Sequence, residues 1–188
     1  MPESSVHISS FVDMDEKPTL ITTSDLGRSA LKIGIIGTGW YGRALAKRLT
    51  ESGFDVILGS RDPSSVEFEL PCRAATYYEV ITSCSTLALT IPWVHHKAFA
   101  REHELALIDK IIIDVSNPNN LSELLQGDLC IAERLQDYLP KSKIVKGFNT
   151  ISAYTLQHDV RGSNRQVHIC TDSSEAYDLM SYIVKEIG

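Results

Sequence analysis

The chain has 188 residues. Domains commonly contain about 100 to 200 residues, so we expect one domain with one sizeable core. The formal net charge of −6 and the absence of a Lys/Arg cluster argue against a nucleic-acid partner, which would require a basic surface. The longest uncharged apolar stretches fall short of the roughly 18 to 20 residues that span a bilayer, and the N-terminus lacks a secretory signal pattern. The chain by itself is therefore expected to be soluble and cytoplasmic.

The four cysteines are widely scattered and form no C-x-x-C pair; they are Cys72, Cys84, Cys130 and Cys170. This spacing favours reduced thiols over a disulfide framework or a zinc site. The adjacent His95 and His96 point in different directions on a helix and cannot form the i, i+4 pair used for metals. No metal site is predicted. For both histidines a structural or surface role is the default, and the alternative is that His96 lines a cofactor cleft.

Residues 1–29 are rich in Ser, Thr, Asp and Glu and show little apolar periodicity. Such a composition buries too little to offset the entropy of ordering, so it predicts a flexible tail. The alternative is a short recognition segment around Val6–Val12. Residues 30–188 alternate strand and helix patterns and predict a single α/β domain. We expect about seven strands in one doubly wound, Rossmann-like parallel sheet.

The first strand of this domain leads into a G-x-G-x-x-G turn and then a helix, the pattern of a dinucleotide-binding unit. Gly37 would make the tight turn, Gly39 would let the backbone approach a pyrophosphate, and Gly42 would let the helix pack closely on the strand. The phosphates would lie on N–H groups at the helix N-terminus. Glycine-rich turns also join strands to helices without a ligand, so the motif alone leaves both interpretations open.

The second strand, Phe54–Gly59, ends at Ser60 and Arg61, where an NAD enzyme typically has an acidic residue for the ribose 2′-hydroxyl. A guanidinium fork can bind the oxygens of a 2′-phosphate in a bidentate manner, whereas a carboxylate would repel them. The strand end therefore predicts NADP rather than NAD. The alternative is a polar turn in which Arg61 is solvated.

The later strands end in small polar or turn-forming residues. The buried-type strand Thr86–Ile91 runs into Pro92 and Trp93, and Lys110–Val115 runs into Ser116, Asn117 and Pro118, at the edge where open α/β sheets bind ligands. The small polar side chains after Val115 can hydrogen-bond a nicotinamide amide or ribose, and they are equally ordinary turn formers. Next come the strand Lys143–Phe148, the helix Thr150–His158 with Asn149 as its expected cap, the strand Gln166–Thr171 and the helix Ser174–Ile187.

Several segments together carry a family resemblance. They are Ile33–Gly39 with the helix after it, Gly53–Pro63, Lys110–Pro118, Ile144–Gln157 and Asn164–Cys170, and they cover most of residues 31–180. This combination resembles the cytosolic oxidoreductase domain of the STEAP metalloreductases. It is far more specific than the glycine turn alone.

The resemblance implies a domain that binds NADP(H) and passes hydride to FAD, without a catalytic side chain, because the two cofactors require stacking and orientation rather than an acid or base. Carried over by motif, the cofactor-binding residues are Gly37, Thr38, Gly39, Trp40, Tyr41 and Gly42 at the pyrophosphate, Ser60 and Arg61 at the 2′-phosphate, Pro92, Trp93, His96, Ser116, Asn117, Pro118 and Ala153 around the nicotinamide half, and Tyr154 at the flavin.

In full-length members of that family, a six-helix membrane domain containing haem carries the electrons to Fe³⁺ or Cu²⁺. The resemblance therefore implies a position on the cytosolic face of an endosomal or plasma membrane. It places haem and membrane contact in a part of the protein that would follow Gly188, so the domain is expected to be C-terminally truncated. A homo-oligomer is also allowed.

Two alternatives are kept. One is a stand-alone reductase similar to the F420-dependent NADP reductases, which share the glycine turn and the Ser-Arg pair. The other is a truncated, non-catalytic form that binds NADP or a partner subunit. The second is motivated by departures from the family pattern at Trp40, Tyr154 and Gly162, where the family has Asp, Trp and Asp.

Overall fold

The computed structural model describes residues 7–14, 31–66, 72–120, 129–158 and 166–188. The strands are β1 (Ile8–Asp13), β2 (Lys32–Ile36), β3 (Asp55–Ser60), β4 (Arg73–Thr76), β5 (Thr86–Leu89), β6 (Ile111–Asp114), β7 (Lys143–Lys146) and β8 (Gln166–Thr171). The helices are α1 (Trp40–Glu51), α2 (Tyr77–Ser83), α3 (His96–His103), α4 (Ile131–Tyr138), α5 (Ala153–Gln157) and α6 (Ser174–Ile187). Short 3₁₀ turns cover Pro63–Ser65, Trp93–His95 and Glu104–Leu107.

The strands form one sheet in the order β1-β8-β7-β6-β5-β2-β3-β4. Strands β2 to β7 are parallel, whereas β8 runs antiparallel to both β7 and β1. The chain leaves β2 toward β3 on one side and later returns to place β5 on the other side. This reversal beside β2 is the point at which open α/β sheets bind ligands.

Apolar side chains alternate between the two faces of the sheet, since successive residues of a strand point to opposite sides. In β6, Ile111 and Ile113 join the core under α1, α5 and α6, and Ile112 joins the core under α2, α3 and α4. Both faces are therefore covered by helices. The predicted doubly wound Rossmann-like α/β domain is confirmed.

Over the described residues the sheet has eight strands rather than about seven, because part of the predicted flexible tail forms the edge strand β1. Val12 and Met14 lie in the same core as α6, at 6% and 7% exposure. The apolar residues of this segment are too few for a periodic signal, and pairing with β8 supplies the partner that the local sequence does not reveal. The expectation of flexibility is thus wrong for Ile8–Asp13. The remaining tail residues lie outside those described, apart from His7 and Met14.

The helix after β7 begins later than predicted. It starts at Ala153, and the hydroxyl of Ser152 accepts a hydrogen bond from the Thr155 N–H at 3.0 Å, which makes Ser152 the N-cap. Asn149 is not the cap. Its side chain instead reaches across to the loop after β6.

Candidate functional site

A cleft of about 350 Å³ opens at the carboxyl ends of β2, β3, β4 and β5. Its lining consists of the glycine turn, the end of β3 and the start of the loop after β5: Gly37, Thr38, Gly39, Ser60, Arg61, Asp62, Ser65, Val66, Tyr77, Thr90, Ile91 and Pro92. The cleft lies at the point of strand-order reversal. Its walls combine backbone amides, hydroxyls, one guanidinium and apolar side chains, as small-molecule sites commonly do.

The three glycines of the turn have three different environments. Gly37 has a φ of +118°, a conformation that L side chains rarely adopt. A Cβ at Gly42 would lie 2.3 Å from the Gly37 carbonyl oxygen and 2.7 Å from Thr90 Oγ1, so only glycine allows α1 to approach the turn this closely. A Cβ at Gly39 would meet no atom within 4 Å and would extend into open space. The structure therefore leaves room at Gly39 for a ligand.

The N-terminus of α1 is suited to an anion. Gly39 is the N-cap residue, no side chain caps the helix, and its first turn contains no acidic residue. The amide end of a helix carries a partial positive charge, which favours phosphate groups. Arg43 adds a positive charge in this turn, and its Nε donates to the Thr38 carbonyl oxygen at 3.0 Å.

Trp40 and Tyr41, both predicted at the pyrophosphate, differ in orientation. Trp40 is 68% exposed, whereas the Tyr41 hydroxyl donates to the Phe148 carbonyl oxygen at 2.6 Å. Burial raises the pKa of Tyr41 above its ordinary value, so the hydroxyl keeps its proton. Tyr41 thereby connects α1 to the loop after β7, and Trp40 is the aromatic side chain of this turn that faces solvent.

Ser60 and Arg61 both line the cleft, and they differ in accessibility. The Ser60 hydroxyl is buried and accepts the Asp62 N–H at 3.1 Å. Arg61 is exposed at the cleft wall. The Ser64 hydroxyl donates to Asp62 Oδ1 at 2.6 Å, so this carboxylate is engaged in a local turn. The exposed guanidinium is free to reorient toward an anion in the cleft.

Tyr77 is a cleft residue that the sequence analysis did not identify. It is the first residue of α2, directly after β4, and its ring would lie 3.1 Å from a Cβ at Gly59. Burial raises the pKa of the Tyr77 hydroxyl, and the nearby charge of Arg61 opposes this shift. The sequence signal that could have identified Tyr77 is its position directly after a parallel strand, because the carboxyl end of β4 adjoins that of β3.

Thr90 was missed as well. Its hydroxyl donates to the carbonyl oxygens of Ile36 at 2.9 Å and Gly37 at 3.2 Å. These bonds fix the glycine turn to the end of β5. The sequence shows no local pattern for this contact, because it joins residues 53 and 54 positions apart.

The residues predicted around the nicotinamide half and the flavin follow β5, β6 and β7 along the same sheet edge. Pro92 lines the cleft. Trp93 is half-buried, with the Arg134 guanidinium 5.8 Å from its ring centroid. Ala153 packs against the core, and Tyr154 is 61% exposed beside His158, with 4.5 Å between ring centroids. Of the residues predicted to bind the cofactors, the cleft lining contains Gly37, Thr38, Gly39, Ser60, Arg61 and Pro92, and the others lie outside it.

Ser116 and Asn117 make their contacts within the protein. The Ser116 hydroxyl and N–H both donate to Asp114 Oδ1, at 2.6 and 2.9 Å. The Asn117 side chain donates to the Asn149 carbonyl oxygen at 2.7 Å and accepts from the Asn149 amide at 3.3 Å. Pro118 follows, half-buried. The structure thus shows a braced loop after β6, in which the Ser116 side chain is buried and engaged.

His96 is 2% exposed at the start of α3. Among the residues that the structure describes, neither ring nitrogen has a hydrogen-bond partner. Burial lowers the pKa of His96, while the charge of Asp114 and the backbone of Ile91 act in the opposite direction. The Ile91 backbone is near enough to influence the ring but lacks hydrogen-bonding geometry. His96 is therefore a neutral ring behind the loop after β5 rather than on the cleft surface.

Within the described ranges, no three His, Cys, Asp or Glu side chains are grouped to hold a metal ion. The helices of these ranges are also too short or too polar to cross a membrane.

Comparison with known proteins gives related sequences over most of the chain. Residues 32–118 match the family model described as NADP oxidoreductase, coenzyme F420-dependent. Metalloreductase STEAP3 of Rattus norvegicus is 37% identical over an alignment of 172 residues, and the alignment covers 88% of this chain and 34% of that protein. The chain thus spans about a third of the length of this relative. The F420-dependent NADP reductase of Methanothermobacter marburgensis is 28% identical over 84% of this chain and 80% of its own length.

A solved structure supports the fold. The crystal structure of a protein described as an F420-dependent NADP reductase, from Arthrobacter sp. FB24, has a TM-score of 0.69 at 21% identity and covers 85% of this chain and 81% of that one. At this identity the likeness concerns the fold alone. Both sequence relatives named above have the names of reductases. The predicted resemblance to the STEAP metalloreductases is therefore confirmed over most of the chain, and the F420-dependent NADP reductases are further relatives.

Proposed function

We propose that this chain is an NADPH-binding oxidoreductase domain that passes hydride to a flavin. The observation that carries the proposal is the cleft at the strand-order reversal, which combines an uncapped helix N-terminus, the open space at Gly39 and the exposed Arg61. The names of the sequence relatives support the class of reaction.

The cleft fits the adenosine and phosphate half of NADPH. Gly39 and the first turn of α1 would hold the pyrophosphate, because the space beside Gly39 is open and a helix N-terminus favours phosphate groups. Ser60 and Arg61 would hold the 2′-phosphate. Hydrogen bonds to charged groups contribute about 1.5 to 3 kcal/mol, which corresponds to about 10- to 150-fold in affinity. This difference would make the domain prefer NADPH over NADH.

The exposed aromatic side chains fit a flavin. Trp40 and Tyr154 lie in the first turns of two helices that pack against each other, α1 and α5, and both helices follow parallel strands at the same sheet edge. Both side chains are more than half exposed, at 68% and 61%. A planar ring system stacks favourably on such aromatic faces. Tyr154 is the residue that we propose for contact with the flavin.

The protein would contribute binding and orientation. When both cofactors are bound, the chemistry is transfer of a hydride from the nicotinamide to the flavin, which the cofactors themselves supply. The residues after β5 and β6, including Pro92, Trp93 and Asn117, would orient the nicotinamide half along the sheet edge. We propose no catalytic acid or base.

The activity of a longer protein is a further part of the proposal. If the chain is part of a metalloreductase, haem in a membrane domain would carry electrons to Fe³⁺ or Cu²⁺, on the cytosolic face of an endosomal or plasma membrane. FAD would then be shared with that domain, and a homo-oligomer is compatible with this arrangement.

A second candidate is an NADP reductase that uses the deazaflavin F420. The favouring observation is the family model, because residues 32–118 match the one described as NADP oxidoreductase, coenzyme F420-dependent. The two candidates share the NADPH cleft and differ in the hydride acceptor. Assays with FAD and with F420, each with NADPH in excess, distinguish them by which acceptor is reduced.

The 2′-phosphate assignment is tested by titrating NADPH and NADH into the wild type and Arg61→Ala. We expect the substitution to weaken NADPH binding about 10- to 150-fold and to leave NADH nearly unchanged. The matched control is Arg101→Ala, which removes the same charge from an exposed site near the C-terminal end of α3. Equal losses for both nucleotides would refute the assignment of Arg61 to the 2′-phosphate.

A further inference from the structure

Asp114 and Lys146 form an ion pair between the last residues of β6 and β7. The two residues are directly paired in the sheet, and the Lys146 Nζ lies 2.9 Å from Asp114 Oδ2. Asp114 is fully buried and the Lys146 side chain is 20% exposed. Neither Asp114 nor Lys146 lines the cleft. The pair was not singled out by the sequence analysis.

A buried ion pair is weak evidence for stability. Removing two charges from water costs several kcal/mol, and apolar pairs of similar volume are often as stable. The role of Asp114 and Lys146 is therefore inferred from the groups that they hold in place. Their contacts converge on a single residue, Ser116.

The pair engages the polar groups of Ser116. Asp114 Oδ1 accepts both the N–H and the hydroxyl of Ser116, at 2.9 and 2.6 Å, and Lys146 donates to the Ser116 carbonyl oxygen. The backbone of the loop after β6 is thus held on both sides of one residue. The next residue, Asn117, is joined to Asn149 in the loop after β7 by two hydrogen bonds. The two loops form one braced unit at the carboxyl edge of the sheet.

The braced unit lies on the side of β2 opposite to β3 and β4. A dinucleotide bound across the strand-order reversal would have its adenosine half over β3 and β4, against Arg61 and Tyr77, and its other half over β5 and β6. We infer that Asp114 and Lys146 are positioning residues, which act through Ser116 and Asn117 to hold the loop that receives the nicotinamide half of NADPH. This inference rests on the proposed function.

The test separates the two halves of the nucleotide. Calorimetric titrations measure the affinity for NADPH and for 2′,5′-ADP, which has the 2′-phosphate and lacks the nicotinamide. The test variant is the double substitution Asp114→Leu with Lys146→Met, which removes both charges together and leaves no unpaired buried charge. Lys146→Arg is the conservative variant, since it retains the charge and its donors.

We expect the double variant to stay folded with a lower melting temperature, because the buried N–H and hydroxyl of Ser116 lose their acceptor. It should bind 2′,5′-ADP within about two-fold of the wild type and NADPH about 10- to 100-fold more weakly, because a misplaced loop loses its contacts. Lys146→Arg should retain most of the wild-type affinity for NADPH. The inference is overturned if the double variant binds NADPH like the wild type, or if both ligands weaken in parallel.

Thermal unfolding followed by circular dichroism decides whether the double variant is folded. If it is not, Ser116→Ala removes one bond of the unit and leaves the ion pair, and its NADPH affinity should fall while 2′,5′-ADP binding is retained. Equal affinities of this variant and the wild type for NADPH would overturn the inference. Failure of the wild type to bind either ligand would refute the proposed function as well, whereas parallel losses in the variants refute the positioning role alone.

Discussion

Gly39 and Gly42 offer a matched pair of glycine-to-alanine substitutions with opposite expected outcomes. At Gly42 the new Cβ would lie 2.3 Å from a backbone oxygen and 2.7 Å from Thr90 Oγ1, so α1 or the turn must shift. Overpacking of this kind costs about 1 to 3 kcal/mol. For a domain of this size, each kcal/mol lowers the melting temperature by about 2 to 4 °C. We therefore expect Gly42→Ala to lower it by about 2 to 12 °C.

At Gly39 the new Cβ would meet no atom within 4 Å, and the backbone, with φ −66° and ψ 173°, is allowed for alanine. Alanine is a poorer N-cap than glycine, but it also reduces the entropy of the unfolded chain. These effects are of similar size, so we expect the stability of Gly39→Ala to lie within about 0.5 kcal/mol of the wild type. The methyl group would nevertheless occupy the proposed phosphate position, and NADPH should bind at least about ten-fold more weakly.

The assay for this pair combines thermal unfolding by circular dichroism with NADPH titration by calorimetry. Gly39→Ala should lose affinity without losing stability, and Gly42→Ala should lose stability. Wild-type affinity in a folded Gly39→Ala would refute the proposal that a phosphate approaches this backbone. An unchanged melting temperature in Gly42→Ala would contradict the close packing of α1 on the turn.

Two further predictions concern the groups behind the cleft. Tyr41→Phe leaves the Phe148 carbonyl oxygen without its donor and should destabilise the protein by about 1 to 3 kcal/mol in urea unfolding, whereas the control Tyr78→Phe, at a 68% exposed position, should have almost no effect. Equal effects of these two substitutions would contradict the anchoring contact. Burial lowers the pKa of His96 from 6.5, so as the pH falls this side chain is protonated more readily in the unfolded chain than in the folded chain. The stability should therefore fall as the pH decreases below about 6.5. His96→Leu should reduce this decrease between about pH 7.5 and 5 in urea unfolding, and parallel pH profiles for variant and wild type would contradict it.

The parts of the fold that follow from local sequence patterns could be predicted. Continuous apolar runs such as Lys110–Val115 identify buried parallel strands. Gly53, with φ +90°, follows the C-terminal end of α1, where glycine commonly ends a helix. The edge strand Ile8–Asp13 could not be predicted, because its order depends on pairing with β8 and on burial of Val12. The cap at Ser152 was missed because Asn149 and Ser152 are both favourable caps, and contacts across the loops decide between them.

The same distinction between local patterns and distant contacts applies to the residues of the candidate site. The sequence singled out Gly39 and Arg61, which both line the cleft, because Gly39 belongs to a short motif and Arg61 follows the end of a strand. Predicting that Tyr77 lines the cleft would have required knowing which strands are neighbours in the sheet. The ion pair of Asp114 and Lys146 required the register of β6 and β7, since the two residues are 32 positions apart. Pairwise contacts of this kind leave no periodic trace in a single sequence.

Transfer of hydride from NADPH to a flavin is the central claim, and anaerobic stopped-flow absorbance of the protein with FAD and NADPH tests it most directly. We predict that flavin absorbance falls together with NADPH absorbance, that NADH at the same concentration reacts more slowly, and that Tyr154→Ala weakens FAD binding. Tyr78→Ala is the matched control, because it removes another exposed tyrosine outside the proposed flavin site. An absence of flavin reduction when both FAD and NADPH are shown to be bound at saturation would contradict the account.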